Sequence, residues 1–296
     1  MRFLLALLCT LVLASCSDTA RYRIDPDARP ALWQLQSADG APRGYLFGTV
    51  HLLPDGVNWR SDRLTAAMNG SDTLVIEVLG ADDPDTLSAA FKALAFSPGL
   101  PPVADRLPAD LKDSLAAARQ GTGLGGLMLN RMESWAAALT LASAQHEKLG
   151  LDRDDGVETA LLASFRAAGK PIRGLETISE QLGAFDRLPE ADQRLMLRDV
   201  VADRSDARAQ FQQLLSAWAS GDEAALAKQS QGGMMDQPRI RDAVLVARNA
   251  AWARRIDAML TRGDRPFIAV GAGHLVGPDN VRAMLETMGY KAVRVQ

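Results

Sequence analysis

Two apolar periodicities divide this chain. Runs of β character are Trp33 to Gln36, Gly44 to Gly48, Leu74 to Leu79, Pro171 to Leu175, Arg265 to Val270 and Lys291 to Val295. Trp33 to Gln36 alternates apolar and polar residues, which marks a strand with one face buried. Leu74-Val75-Ile76-Glu77-Val78-Leu79 is nearly continuous in apolar character, which marks a central strand covered on both faces. Asp39-Gly40 is a turn signal between the first two runs, so these form a hairpin.

Helical spacing covers Arg60 to Asn69, Pro84 to Ala95, Pro108 to Arg119, Leu127 to Leu149 and Asp155 to Ala168. It resumes over Pro189 to Gln231, with breaks near Arg204 and Gly221, then over Arg239 to Arg262 and Pro278 to Thr287. Thr177-Ile178-Ser179-Glu180 fits a capping box, in which Thr and Glu satisfy each other's backbone amides at a helix start. Strands alternating with helices imply an α/β fold: a central mixed sheet with flanking helices and a helical insertion, spanning residues 31–296. Runs 44–48, 74–79, 171–175 and 265–270 are expected in that sheet, with their motif ends meeting on one edge.

One short pattern occurs twice. Phe47-Gly48-Thr49-Val50-His51-Leu52-Leu53-Pro54 follows the run Tyr45-Leu46-Phe47. Gly271-Ala272-Gly273-His274-Leu275-Val276 follows Phe267-Ile268-Ala269-Val270. Each is a strand, then Gly-x-x-His, then two aliphatic residues. Ligands of open α/β sheets bind beyond the carboxyl ends of strands. A glycine there lets the backbone turn or approach closely. Neutral imidazole is a common metal ligand and a base near neutral pH. The chain has three histidines, and two of them share this context, which points to one shared site. Solvent-facing His146, at the end of a polar helical turn, is not part of it.

Several acids and their neighbours join the candidates. Glu77 interrupts a buried strand, and a buried carboxylate needs a partner charge or a metal. The plain alternative is a structural ion pair to an arginine. Glu176 sits just past Leu175 at another strand end, where it could equally be a first-turn helix acid. Glu180 is accounted for by the capping box. Asn249 lies on the apolar stripe Leu245, Trp252, Ile256, Met259, where an amide requires buried partners. Arg248 beside it is placed to pair with Glu77 or bind substrate. His146-Glu147 lacks the second histidine of a zincin helix, and no Gly-x-Ser-x-Gly elbow or phosphate-binding Gly-Lys-Ser loop occurs. What remains is a divalent metal or acid–base site built from His51, His274 and carboxylates.

Composition changes this picture little. The chain is 47% hydrophobic and 23% charged, as ordinary globular proteins are. A net charge of -3 and a pI of about 5.7 argue against a nucleic-acid partner. The N-terminus adds more. Arg2 precedes the apolar run Phe3 to Ala14, and Leu13-Ala14-Ser15-Cys16 resembles a bacterial lipobox. Residues 1–15 are then a lipoprotein signal peptide, and residues 16–30 are a polar tether from lipidated Cys16. A plain secretory signal is the alternative. Ser17 is not an Asp retention signal, so the expected location is the outer membrane, facing the periplasm. Cys9 departs with the signal, so the mature chain has no disulfide.

Taken together, the paired Gly-x-x-His motifs, Leu-Val-Ile-Glu-Val, Gly-Lys-Pro-Ile-Arg-Gly-Leu-Glu-Thr with Glu-Gln downstream, and Arg-Asn-Ala-Ala-Trp resemble the TraB/GumN family. That family is related to the Tiki proteases and more loosely to erythromycin esterase-like and ChaN-like proteins. The resemblance covers Ala31 to the C-terminus. It implies a Tiki/erythromycin esterase-like α/β domain with a site at His51, Glu77 and His274, with Glu176, Arg248 and Asn249 as further matches. Glu158 in Asp-Gly-Val-Glu stands where the resemblance leads one to expect Asp.

Two functions follow as expectations. The first is a lipid-anchored, metal-dependent hydrolase, a peptidase being one form, with Mn²⁺, Co²⁺ or Zn²⁺ held by His51, His274 and Glu77. Glu77, Glu176, Arg248 and Asn249 would act in catalysis on a peptide or small-molecule substrate. The second is a non-catalytic envelope protein that holds a metal, haem or other ligand in the same cleft.

Overall fold

The computed structural model describes residues 22–25, 27–54, 56–81, 83–120, 125–148, 156–202 and 206–296. A hairpin of β1 (Leu32–Gln36) and β2 (Pro42–Thr49) leads through α1 (Asp62–Gly70) to β3 (Thr73–Val78). A helical region follows: α2 (Pro84–Leu94), α3 (Lys112–Arg119), α4 (Gly126–Arg131) and α5 (Ser134–Lys148). Then α6 (Val157–Ala167) returns the chain to β4 (Ile172–Glu176). Six helices come next: α7 (Ile178–Asp186), α8 (Glu190–Val201), α9 (Ala207–Ser220), α10 (Glu223–Gln229), α11 (Pro238–Arg241) and α12 (Ala247–Thr261). The chain closes with β5 (Pro266–Gly271), α13 (Val281–Thr287) and β6 (Lys291–Arg294).

The strands form one mixed sheet in the order β4-β3-β5-β2-β1-β6. The four expected strands β4, β3, β5 and β2 are contiguous and parallel, so their carboxyl ends lie on one edge. β1 and β6 add antiparallel strands on the far side. Side-chain alternation splits the core. Phe47, Leu74, Ile76 and Phe267 pack with Leu64, Phe165 and Trp218 on one face. Val75, Ile268 and Val270 pack with Trp252, Ile256 and Leu285 on the other. Burying each such side chain contributes about 1.5–3 kcal/mol. Period two then places Glu77, two residues after Val75, on the face covered by α12. A third cluster around Trp135, Leu141 and Leu197 holds the helical insertion together.

The capping box at α7 forms as read, with both Thr177 and Glu180 bonds present. Three helical readings are corrected. The expected Leu127–Leu149 helix is split into α4 and α5. Glu133 donates its backbone amide to Ala95 O at 2.7 Å and Met132 bridges to Phe96, so the chain pauses to close off α2. The expected Arg239–Arg262 helix contains a π-helical stretch, Asp242–Val246, between α11 and α12. The expected helix from Pro278 begins only at Val281, N-capped by Asn280. A tight turn over Ala272–Leu275 and Gly277 with φ 77° take up the preceding residues. The break near Arg204, the side chain of His146 and the N-terminal segment through Cys16 lie outside the described residues.

Residues read as tether are docked where described. Tyr22 stacks edge-on against Phe211, Ala28 is buried, and Arg29 donates to Ala219 O. No helix among the described residues is long and apolar enough to cross a membrane.

Candidate functional site

The two Gly-x-x-His motifs lie side by side because β2 and β5 are paired in parallel, with Gly48 opposite Val270 and Thr49 opposite Gly271. Neither motif glycine has a positive φ; close approach explains both. A Cβ on Gly48 would stand 3.1 Å from Cα and Cβ of Ala272, inside the second motif. A Cβ on Gly271 would stand 3.1 Å from Glu77 Oε1. The bare backbone lets Gly271 N donate to that oxygen at 2.7 Å.

Glu77 is the meeting point. Its Oε2 accepts from Arg248 Nη2 at 3.0 Å, and its Oε1 lies 3.9 Å from His274 Nε2. Burial raises the Glu77 pKa, but the charge that His274 carries when protonated, the Arg248 guanidinium, protonated His51 and the Gly271 amide outweigh it, so the carboxyl sits below its ordinary value. The strand acid thus faces both histidines, and it is also half of an ion pair. The two alternatives read from the sequence describe one residue.

Arg248 and Glu176 are locked together. Arg248 Nε reaches both Glu176 oxygens at 3.1 and 3.2 Å, and its Nη2 reaches Oε1 at 2.6 Å. Trp252 Nε1 donates to Glu176 Oε2 at 3.2 Å, and the guanidinium lies 4.7 Å from the Trp252 ring centroid. Arg248 Nη1 donates to Val244 O, inside the π-helical stretch. Glu176 is the last residue of β4 rather than a first-turn helix acid. Its oxygens are committed to holding Arg248, as the carboxylate of a charge-assisted pair does.

His274 is gripped from behind. Its Nδ1 lies 2.6 Å from Asn249 Oδ1, and Asn249 Nδ2 donates to Asp279 O at 2.7 Å. The carbonyl of Asp279 requires the amide nitrogen on its side, so Oδ1 faces the ring and Nδ1 carries the proton. Trp252 packs on the ring at 4.4 Å. Burial, reinforced by Arg248, pushes the His274 pKa down to about 4 against the pull of Glu77, so the ring is neutral at pH 7.

On the other side, His51 is half exposed, and its Nδ1 stands 3.1 Å from Glu158 Oε2. Thr49 Oγ1 donates to Glu158 Oε1 at 3.0 Å. Glu158 sits in the first turn of α6, which is pinned to the first motif by Val157 N to Val50 O. One ligand atom each from His51, Glu77 and Glu158 lies within 4.8 Å of the others. Ligands of one cation at about 2.1 Å stand up to about 4.2 Å apart, so small side-chain rotations bring this set into range. Imidazole with two carboxylates suits Mn²⁺, Co²⁺ or Zn²⁺. Glu77 and Glu176 share the single guanidinium of Arg248, which leaves this buried group with more negative than positive charge, while Glu158 stands against His51.

A family model described as the TraB/PrgY/gumN family matches residues 31–294. The chain belongs to this family. It is similar to the uncharacterized protein YbaP of Shigella flexneri, 26% identical over 251 residues, 83% of this chain and 89% of that protein. It is also similar to YbaP of Escherichia coli K12, 26% identical over 246 residues, 81% and 87% of the two chains. No solved structure matches.

In this TraB/PrgY/gumN member the structure gathers His51, Glu77, Glu176, Arg248, Asn249 and His274 at one sheet edge. Glu180 stays apart, bonded to Arg255 and Thr177, which hold its carboxyl at about 2. Sequence reasoning undervalued Glu158 because it expected Asp, and it gave no role to Thr49 or to the Trp252 N–H. The available signal was the placement of Glu158 at a helix start. An acid in a first helical turn is favoured by the helix dipole. An open cavity of about 560 Å³, lined by Ser230, Arg241, Asp242, Val246 and Asp279 among others, borders the His274 loop.

Proposed function

We propose that this chain is a metal-dependent hydrolase of peptide or related acyl bonds, anchored through lipidated Cys16 to the outer membrane and facing the periplasm. The supporting observation is the convergence of His51, Glu77 and Glu158 beside a buried network with excess negative charge. These three residues would hold the cation. A bound divalent cation supplies Lewis acidity, polarising a carbonyl and acidifying water. Thr49 orients Glu158. Arg248 and Gly271 N hold Glu77 ionised and fixed. Trp252 packs against His274 and Arg248 on the inner side of the site.

The test pairs uptake with turnover. Purified protein is equilibrated with Mn²⁺, Co²⁺ or Zn²⁺, its metal content is measured, and it is assayed on a peptide library. Saturable binding of one cation with metal-dependent cleavage supports the reading. Binding without cleavage supports a non-catalytic ligand-holding protein instead. The anchor is tested separately: Cys16→Ser should move the protein from the membrane to the soluble fraction, because the lipid chains supply the anchoring energy.

A further inference from the structure

We infer that the two Gly-x-x-His motifs have unequal roles: His51 joins Glu77 and Glu158 in holding the cation, whereas His274 is excluded from that set and, positioned by Asn249, turns its Nε2 lone pair to Arg248 Nη1 and so helps fix the arginine that pairs with Glu77. This rests on the metal-dependent reading above and departs from the expectation, drawn from the near-duplicate sequences, that both histidines are ligands.

Three observations carry it. First, Nδ1 of His274 is spent. It donates to Asn249 Oδ1 at 2.6 Å, and Asn249 is locked the right way round by its bond to Asp279 O. The ring can offer a cation only Nε2. Second, Nε2 faces a permanent positive charge. Arg248 Nη1 lies 3.4 Å from it. A cation at that lone pair would stand against the guanidinium, with Coulomb repulsion that is strong in a buried setting. Third, Arg248 has nowhere to go. It is bound to Glu176 through Nε and Nη2, to Glu77 through Nη2 and to Val244 O through Nη1, and it lies over Trp252. His51 differs in its surroundings: its ring is half exposed and its Nδ1 is turned to the carboxylate of Glu158.

The sequence repeat therefore builds one fold feature twice and uses it for two jobs. In both copies a glycine at a strand end permits close approach and a histidine follows three residues later. What differs is what packs behind each histidine. The first copy is backed by α6, which brings an acid. The second is backed by α12, which brings an arginine and an amide.

Nitrogen NMR on the ¹⁵N-labelled full chain tests this, and three histidines give a sparse spectrum. In metal-free protein His274 should be a fixed Nδ1–H tautomer, and Asn249→Leu should convert it to a mixture of tautomers. On loading with ¹¹³Cd²⁺, scalar coupling should appear to an imidazole nitrogen lost in His51→Ala. It should be absent from the resonances lost in His274→Gln, whose Nδ1 should stay protonated. Coupling to His274 overturns the inference, and so does an Nε2–H tautomer in the metal-free protein. If no Cd²⁺ binds, the metal-dependent function fails and the unequal ligand roles fall with it. The tautomer and the Asn249→Leu spectrum still decide whether Asn249 positions His274.

Discussion

Glu158 Oε2 stands 3.1 Å from His51 Nδ1, although 107 residues separate them in sequence. α6 delivers this contact, and Thr49, inside the same Gly-x-x-His motif, holds the other Glu158 oxygen. Partners of a metal ligand typically influence affinity by about 10–100-fold. Thr49→Val should therefore weaken cation binding by about tenfold while leaving the melting temperature of the metal-free protein nearly unchanged. Titration calorimetry with Co²⁺ and a thermal melt read the two quantities separately.

Arg248 bridges Glu77 and Glu176. Removing it strands two buried carboxylates, and breaking a buried pair in this way costs about 3–5 kcal/mol. Arg248→Leu should lower unfolding free energy by at least that amount in urea. Arg248→Lys should recover only part of it, because an ammonium cannot reach both acids with the planar fork of arginine. A Leu variant as stable as wild type contradicts the hub role.

His274 has a folded pKa of about 4, below its ordinary 6.5. Between these values the unfolded chain binds a proton that the folded chain refuses, so stability rises with pH across the window. The contribution is fully present above pH 6.5 and falls away as the pH drops towards 4, by an amount on the order of 3 kcal/mol. Denaturation of wild type and His274→Gln at several pH values should show a steeper loss for wild type in this window. Parallel curves contradict the assignment of a buried neutral ring.

Gly48→Ala places a methyl 3.1 Å from the backbone of Ala272, which cannot move without separating the two motifs. Overpacking of this kind costs about 1–3 kcal/mol. Gly271→Ala instead presses on Glu77 Oε1, so its larger effect should be on cation affinity. A chemical-denaturation midpoint and a binding isotherm for each variant distinguish the two.

The parallel sheet was legible because each of its strands is a short apolar run ending at glycine or an acid, and both signals are local. The site was legible in part for the same reason. His51, Glu77 and His274 all sit at strand ends. Glu158 was not, because its role arises from the packing of α6 against the first motif, and a helix-start acid has a sufficient local explanation. The Leu127–Leu149 reading failed at a long-range contact, Glu133 to Ala95. The π-helical stretch at Asp242–Val246 leaves no mark in apolar spacing, yet it lies directly before Arg248 and Asn249.

In the reading proposed above, His51, Glu77 and Glu158 hold one divalent cation. Equilibrium dialysis against Co²⁺ or Zn²⁺ followed by metal analysis tests it most directly. The expected result is one cation per wild-type chain and loss of binding in His51→Ala and Glu158→Gln, with folded circular-dichroism spectra retained. A wild-type chain that takes up no cation, or variants that bind as tightly as wild type, would contradict it.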